Sequence, residues 1–532
     1  MAASNQPLAP ILGSPESPSA GVTQPRQHTY GQILKSSAAI GGSSMFKIGL
    51  DIVRTKAMAL LLGPAGVGLL GLYGTIATLA QTVAGVGINS SGVRQIAEAA
   101  GTGDTQCIAR TVTTLRRVAA LLGALGALLL LAFCRPVARL SFGDDQHAGA
   151  VALLALAVFF GAVSGGQAAL VQGMRRIVDL ALMNVLGALY GTLFSIGIVY
   201  LYWRNGNAKG GVVPALVCVA AMGIVTSWWY SRKIKVERVV MRLADISAEV
   251  SVLLKLGFVF MASALMASGA AYLVRIIILR RINEEAAGFY QAAWALGGMY
   301  VGIILQAMGA DFFPRLTAVA KDNRECNHLV NEQAEVSLLL AGPGVLGTLS
   351  FAPLVIQLFY SAKFGPAVEL LRWICLGMML RVVSWPLGYI LLAKGARLPF
   401  FWSELAGSVV QVGLVWVCLL GFGLRGTGIA FFGAYVFYLA LIYAIVRSLS
   451  GFRWSAANQR LGLLYVALVA ALFVGWYLEP HWVAAAGGAL MTLLAGIHSL
   501  KRLCRLVSLE RLPGPVRRLL VLFRLAPPDD HH

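Results

Sequence analysis

Charge is scarce in this chain of 532 residues: Asp, Glu, Lys and Arg together make up 12%, about half their share in an ordinary soluble domain. So little charge cannot clothe the surface of a soluble fold of this size, and a soluble globular protein is excluded. Paired cysteines are absent too. The seven cysteines, at positions 107, 134, 218, 326, 375, 418 and 504, contain no CxxC and several stand inside apolar runs, so neither a zinc site nor a disulfide framework is indicated. The seven histidines (28, 147, 328, 481, 498, 531, 532) show no metal-ligand spacing, and no Walker A sequence occurs. No catalytic residue, metal or cofactor is expected. The first 30 residues are rich in Pro, Ser, Ala and Gln and lack a basic start followed by an apolar stretch, which reads as a disordered tail and not a signal peptide.

What the chain has in abundance is apolar residues, at 58%. About twenty in a row cross a bilayer, and such runs fall near 36–62, 67–91, 112–133, 150–171, 178–201, 212–230, 252–279, 286–309, 336–360, 367–392, 401–422, 427–447, 461–478 and 482–499. The fold class is therefore an all-α polytopic membrane protein of about fourteen transmembrane helices. Most of the 43 Lys and Arg residues fall in the connections that share a side with the two termini. That is the positive-inside pattern, with both termini cytoplasmic, and it accounts for most of the net charge of +20 without nucleic acid.

The two halves can be aligned on each other. Setting Leu34-Lys35 on Leu254-Lys255 gives a constant offset of 220, which brings Gly68 onto Gly288, GVRQIAEAA (92–100) against FFPRLTAVA (312–320), and Asn184-Val-Leu-Gly187 onto Glu404-Leu-Ala-Gly407. This predicts two six-helix lobes, 34–230 and 252–450, joined by a basic cytoplasmic linker at 231–251 and facing one another across a central cleft. Residues 1–33 form a disordered cytoplasmic tail. Residues 451–500 hold two additional transmembrane helices with no counterpart in the repeat, read as an appendage to a twelve-helix core. The tail at 501–532 interleaves Arg and Lys with Leu, Val and Phe and suits an anionic lipid surface.

The stretch LLGPAGVGLLGLYGTIATLAQTVAGVGINSSGVRQIAEA (61–99), preceded by a helix carrying Lys47, and the segment GADFFPRLTAVAKD (309–322) resemble bacterial O-antigen and lipid-linked oligosaccharide flippases of the Wzx type. These belong to the multidrug/oligosaccharidyl-lipid/polysaccharide exporter superfamily, and the resemblance covers roughly residues 31–450. It implies a transporter, not an enzyme, in the bacterial inner membrane. Such a protein moves a polyprenyl-diphosphate-linked oligosaccharide between leaflets by alternating access, driven by a gradient of H+ or Na+ and working with other glycan-assembly proteins. Fourteen helices also occur in the superfamily's peptidoglycan lipid II flippases.

A charge near the bilayer centre needs a partner or a water-filled cavity, and few such charges exist here. Lys47, Asp51 and Arg54 stand at i, i+4 and i+7 of the first helix and share one face. They either line the cleft, offering positive charge to a diphosphate, or form a self-neutralised ladder. Their counterparts are Ala267, Ala271 and Val274, so one lobe alone carries the charge. Arg381, in the tenth helix opposite Gly161 of the first repeat, is a cleft anion ligand or a partner of Glu404 or Asp51. Arg275 is placed near the external mouth of the cleft, where a long side chain can snorkel. Asp51 and Glu404 are the candidates for ion coupling or gating. Arg372, three residues after Glu369, reads as its local ion-pair partner. Asp179 is neutralised by the preceding arginines, and Asp311 with Arg315 forms a loop pair. Two alternatives stay open: a multidrug cation antiporter of the same superfamily, which should present acidic side chains to its cargo, and a membrane-embedded glycan polymerase or ligase, which should carry a sizeable external loop.

Overall fold

The computed structural model describes residues 25–102, 104–236, 243–308, 312–478 and 481–506. Among them every regular element is a helix: α1 (Pro25–Gly85), α2 (Ile88–Thr102), α3 (Thr105–Ala132), α4 (Cys134–Phe142), α5 (Ala148–Gly173), α6 (Ile177–Arg204), α7 (Val212–Arg232), α8 (Leu243–Arg281), α9 (Glu284–Ala307), α10 (Phe313–Ala318), α11 (Asn323–Ser350), α12 (Ala352–Phe359), α13 (Ala367–Ala393), α14 (Arg397–Phe422), α15 (Arg425–Ser450), α16 (Ala456–Leu478) and α17 (His481–Leu506). The N-terminal tail before residue 25, Asp311, and most of the basic C-terminal tail lie outside the described residues.

Among the described residues eleven helices are long and apolar enough to cross a membrane, and the pair α11 and α12, taken as one span, makes a twelfth. The chain is a multi-pass membrane protein. The 61-residue α1 is two helices joined at Gly63, whose φ of +65° suits only glycine, followed by Pro64, whose missing N–H is harmless at a helix start. The 39-residue α8 covers the stretch 252–279 in which a crossing is expected. One expectation is corrected: the predicted ninth helix, 336–360, is two, because α12 turns off α11 by 82°. Pro353 in the first turn of α12 cannot donate back to the preceding helix, so the chain bends there. Pro343 and Pro386 lie inside continuous helices.

Most helices recur at the offset of 220, and so do the turns. Arg175 (φ +53°) and Gly395 (φ +68°) both adopt the left-handed conformation. The same bonds close the two turns: Arg176 N–H donates to Val171 O at 3.1 Å, and Ala396 N–H to Leu391 O at 2.8 Å. The halves meet at the end of the molecule that carries the Gly63 and Asn283 turns, here called the closed end. A Cβ on Gly68 would lie 2.3 Å from Glu284 O, and one on Gly288 would lie 1.9 Å from Pro64 O. Positions 64 and 284, like 68 and 288, are 220 apart, so the contact is reciprocal, as a twofold axis requires. Hydrogen bonds from Lys56 Nζ to Gln357 O (2.8 Å) and between Ser141 and Tyr272 (2.6 Å), with the ion pair of Lys209 and Glu284 (2.6 Å), join the halves at this end.

Arg275 belongs to this joint. It is 7% exposed, donates from Nε and Nη2 to Gln291 Oε1 at 3.2 and 2.8 Å and from Nη1 to Ala271 O at 3.0 Å, and lies over the Tyr290 ring at 5.8 Å. Gln291 in turn presses on Gly71, its own counterpart in the other half.

The last two helices are bolted to α11. Arg502 pairs with Glu335 at 2.8 Å, and the Tyr465 ring occupies the space a Cβ on Gly342 would take, its Cε1 atom 2.1 Å away. Tyr465 Oη meets Ser499 Oγ at 2.5 Å. Asn458, 4% exposed, donates to Asn331 O and Oδ1. Glu369 does not serve Arg372 as expected: it pairs with Arg425 and accepts from Tyr477 at 2.9 Å, while Arg372 lies over the Trp476 ring at 4.1 Å. Glu335 on α11 and Glu369 on α13 are thus satisfied by α15, α16 and α17.

Gly342→Ala is expected to lower the unfolding temperature of the purified protein, at a cost of about 1–3 kcal/mol for overpacking, whereas Gly413→Ala, with nothing within 4 Å of its Cβ, leaves it unchanged. Arg275→Met strips Gln291 of a charged donor and should cost about 1.5–3 kcal/mol, read as a fall in the same unfolding temperature.

Candidate functional site

The tenth crossing, α13, is the spine of the site. It runs from the closed end, where Tyr360 and Gln357 precede it, to the Gly395 turn at the opposite end, and three cavities follow it in sequence. The first, of about 500 Å³, is lined by Asp51 and Thr55 of α1, Trp294 and Met299 of α9, Tyr360, and Arg381. The second, of about 220 Å³, takes in Arg381, Tyr290, Trp294, Trp385, Glu404 and Tyr438. The third, of about 200 Å³, continues through Trp385, Tyr389, Phe400, Glu404 and Tyr438. Arg381 is shared by the first two, and Trp385, Glu404 and Tyr438 by the last two, so the three are contiguous.

Arg381 and Trp385 are one turn apart on α13, which brings the guanidinium to 5.6 Å from the indole ring. Its Nε is buried and has no hydrogen-bond partner among the described residues. A buried donor of a charged group left unmet is costly, and the side chain that carries it lines both cavities. Glu404, on α14, is held by Tyr438 of α15, whose hydroxyl donates to Oε1 at 2.5 Å. A carboxylate so engaged offers its other oxygen to a cation or proton.

The predicted residues separate. Asp51 reaches the first cavity with Arg381, and Arg54 pairs with Asp51 at 3.1 Å, both side chains about a third exposed. Arg54 is therefore occupied by its neighbour. Lys47 is exposed one turn before Asp51 on the same helix. Arg381 and Glu404 line one cavity without forming an ion pair within 4 Å. Arg275 is buried at the closed end, within the joint between the halves, where it holds Gln291. Asp179 pairs with Arg176 at 2.6 Å, as expected.

The aromatic lining was not anticipated from the sequence. Trp294, Trp385, Tyr435 and Tyr438 surround the second cavity, and in an apolar text such residues read equally well as core or interface. A signal existed on α14: Glu404, Ser408 and Gln411 stand at i, i+4 and i+7 and all line that cavity, the same spacing that drew attention to Lys47, Asp51 and Arg54.

Comparison with known proteins fits this architecture. The lipid III flippase of Escherichia coli strain K12 is 22% identical over 419 residues, which covers 77% of this chain and 97% of that protein. Among solved structures, the lipid II flippase MurJ in an inward closed conformation superposes with a TM-score of 0.65 at 12% identity, covering 87% of this chain and 99% of that one. An inward-facing multidrug resistance transporter of the MATE family and MOP superfamily gives a TM-score of 0.62 at 18% identity, covering 76% and 95%. The fold is that of these transporters. The family model described as polysaccharide biosynthesis protein matches residues 57–369, from the broken first helix to the start of α13, and with more than half of its length matched the chain belongs to that family.

Proposed function

We propose that this protein is a flippase for a polyprenyl-diphosphate-linked oligosaccharide, an O-antigen or exopolysaccharide repeat unit, in the bacterial inner membrane with both termini cytoplasmic. The observation that carries the reading is the guanidinium of Arg381, its Nε without a hydrogen-bond partner among the described residues, lining two neighbouring cavities along one helix. A diphosphate is the ligand such a planar donor fits best. The family and the resemblance to a lipid III flippase point the same way.

In this reading the closed end faces the periplasm and the basic turns face the cytoplasm. The headgroup enters from the cytoplasm, its phosphates meet Arg381, with Lys47 towards the entrance and Arg54 deeper on the same helix beside Asp51, and the polyprenyl chain stays in lipid. Alternating access follows from opening the glycine joint at the closed end while the other end shuts. Asp51 and Glu404 are the groups through which H+ or Na+ would couple, since each faces a cavity and each has one identified partner. Anionic lipids at the C-terminal tail and other glycan-assembly proteins are the further partners proposed. A cationic drug finds a poorer site: Asp51 is paired with Arg54, Glu404 is engaged by Tyr438, and Arg381 would repel it.

In a deletion strain, surface glycan should fall and the lipid-linked unit should accumulate on the cytoplasmic face, out of reach of an external glycan-binding probe. A unit that reaches the outer face unpolymerised would overturn the flippase reading. Arg381→Ala and Lys47→Ala should each fail to restore surface glycan at normal protein levels; full restoration by both would remove the cleft model. Asp51→Asn should change the dependence of transport on the proton or sodium gradient, and an unchanged dependence would place coupling elsewhere.

A further inference from the structure

The offset of 220 relates not only helices but cavities. The third cavity, at the end of α13 away from the closed end, is lined by Trp385, Gly388, Tyr389 and Leu392. Subtracting the offset gives Gly165, Ala168, Ala169 and Gln172 of α5, and these four line a separate cavity of about 370 Å³ in the other half. The twin cavities have diverged in chemistry. One wall is aromatic with a carboxylate. The other carries no charge: its polar groups are the side chains of Asn89, Ser90 and Gln172.

The backbone explains how Asn89 comes to be there. α1 ends at Gly85, Val86 (φ +44°) and Gly87 (φ +66°) take left-handed conformations, and α2 restarts at Ile88, so the chain turns sharply and delivers Asn89 and Ser90 against α5. Gly165 makes room for the amide: a Cβ there would lie 2.3 Å from Asn89 Nδ2. Asn89 Oδ1 is buried without a hydrogen-bond partner among the described residues. An unmet buried acceptor asks for a donor. A hydroxyl supplies one and can accept from a neighbouring amide at the same time, and two amides and a hydroxyl facing one cavity offer donors and acceptors in equal measure.

We propose that the cavity of Asn89, Ser90 and Gln172 is the binding site for the uncharged sugar of the carried lipid, separate from the phosphate site at Arg381. This rests on the flippase reading and deepens it. A ring rich in hydroxyls matches an uncharged amide wall, as an anion would not. Its twin in the other half, with Trp385 and Tyr389, presents the flat apolar faces on which the C–H side of a sugar packs. Both cavities lie at the end opposite the glycine joint, where the headgroup of a cytoplasmic substrate would first enter.

The test uses full-length protein in lipid nanodiscs and two probes: the lipid-linked oligosaccharide extracted from the source cells, and an isoprenyl diphosphate of matched chain length without sugar. The expected result for Asn89→Ala with Gln172→Ala is at least a tenfold loss of affinity for the sugar-bearing probe with unchanged affinity for the bare diphosphate. Gly165→Leu, which fills the cavity by displacing Asn89, should reproduce that pattern, and an unfolding temperature close to wild type shows that each variant is folded. Arg381→Ala should weaken both probes. Equal loss of both probes in the Asn89 and Gln172 variant, or no loss of either, overturns the sugar site while leaving the flippase reading intact. Failure of the wild-type protein to bind either probe overturns the flippase reading and the sugar site with it.

Discussion

The backbone contact between Gly68 and Gly288 is the constraint on which the arrangement of the two halves depends. Each glycine lies where any Cβ would strike a carbonyl of the opposite half, and the atoms it would strike belong to residues 64 and 284, themselves a repeat pair. Two helices can approach this closely only if both lack side chains at the crossing. The crossing itself is backbone on backbone, and apolar side chains of both halves close around it: Ala59 and Val67 pack with Val274, Ile278 and Ala287, and Tyr272 and Ile276 join the core of the first half. Around it sit bonds of a different kind: an exposed ion pair, a lysine on a carbonyl and a hydroxyl pair, each modest in strength. Arg275 stiffens one side by fixing Gln291.

From that axis follows the pairing of cavities. The gap lined by Asp51, Met299, Tyr360 and Arg381 has its twin in a wholly different surface, lined by Ile76, Leu79, Leu140 and Tyr272. Position 52 answers 272, 296 answers 76, 299 answers 79 and 360 answers 140. One gap beside the axis carries charge and the other is apolar. A lipid-linked sugar is itself divided in this way, and a symmetric scaffold with asymmetric walls can address both parts at once without a separate domain for either.

Much of this was legible in the sequence because a duplication leaves a numerical trace. The offset of 220 set Gly68 on Gly288 and showed that one half lacks the charges of the other. It failed where structure depends on contacts between distant segments with no periodic signature. The 82° turn at Phe351 hides in an unbroken apolar run, and only Pro353 hints at it. The attachment of α16 and α17 to α11 left no trace because Glu335 and Arg502, or Gly342 and Tyr465, are far apart in the chain and neither member is unusual alone. Glu369 was given to Arg372 by spacing, yet Arg425 and Tyr477 hold it. In an apolar helix, local spacing ranks possible partners but tertiary packing chooses among them.

The distribution of charge between the halves also has a packing cause. The counterpart of Arg381 is Gly161, and its missing side chain is replaced by Gln81, whose Nε2 would lie 2.5 Å from a Cβ there and which donates to Ala157 O at 3.1 Å. An arginine at 161 would have to expel that amide from its bond. Conversely, the counterparts of Lys47 and Asp51 are Ala267 and Ala271, and both line the cavity that Arg381 and Glu404 share. Charged side chains there would fill the cavity and neutralise the arginine. Each half therefore excludes the charges of the other: the first keeps small residues and amides where the second has its arginine and aromatics, and the second keeps alanines where the first has its lysine and aspartate. The asymmetry is built into the packing of both lobes, so a single substitution that restored the symmetry would have to fill a cavity or break a bonded amide to do so.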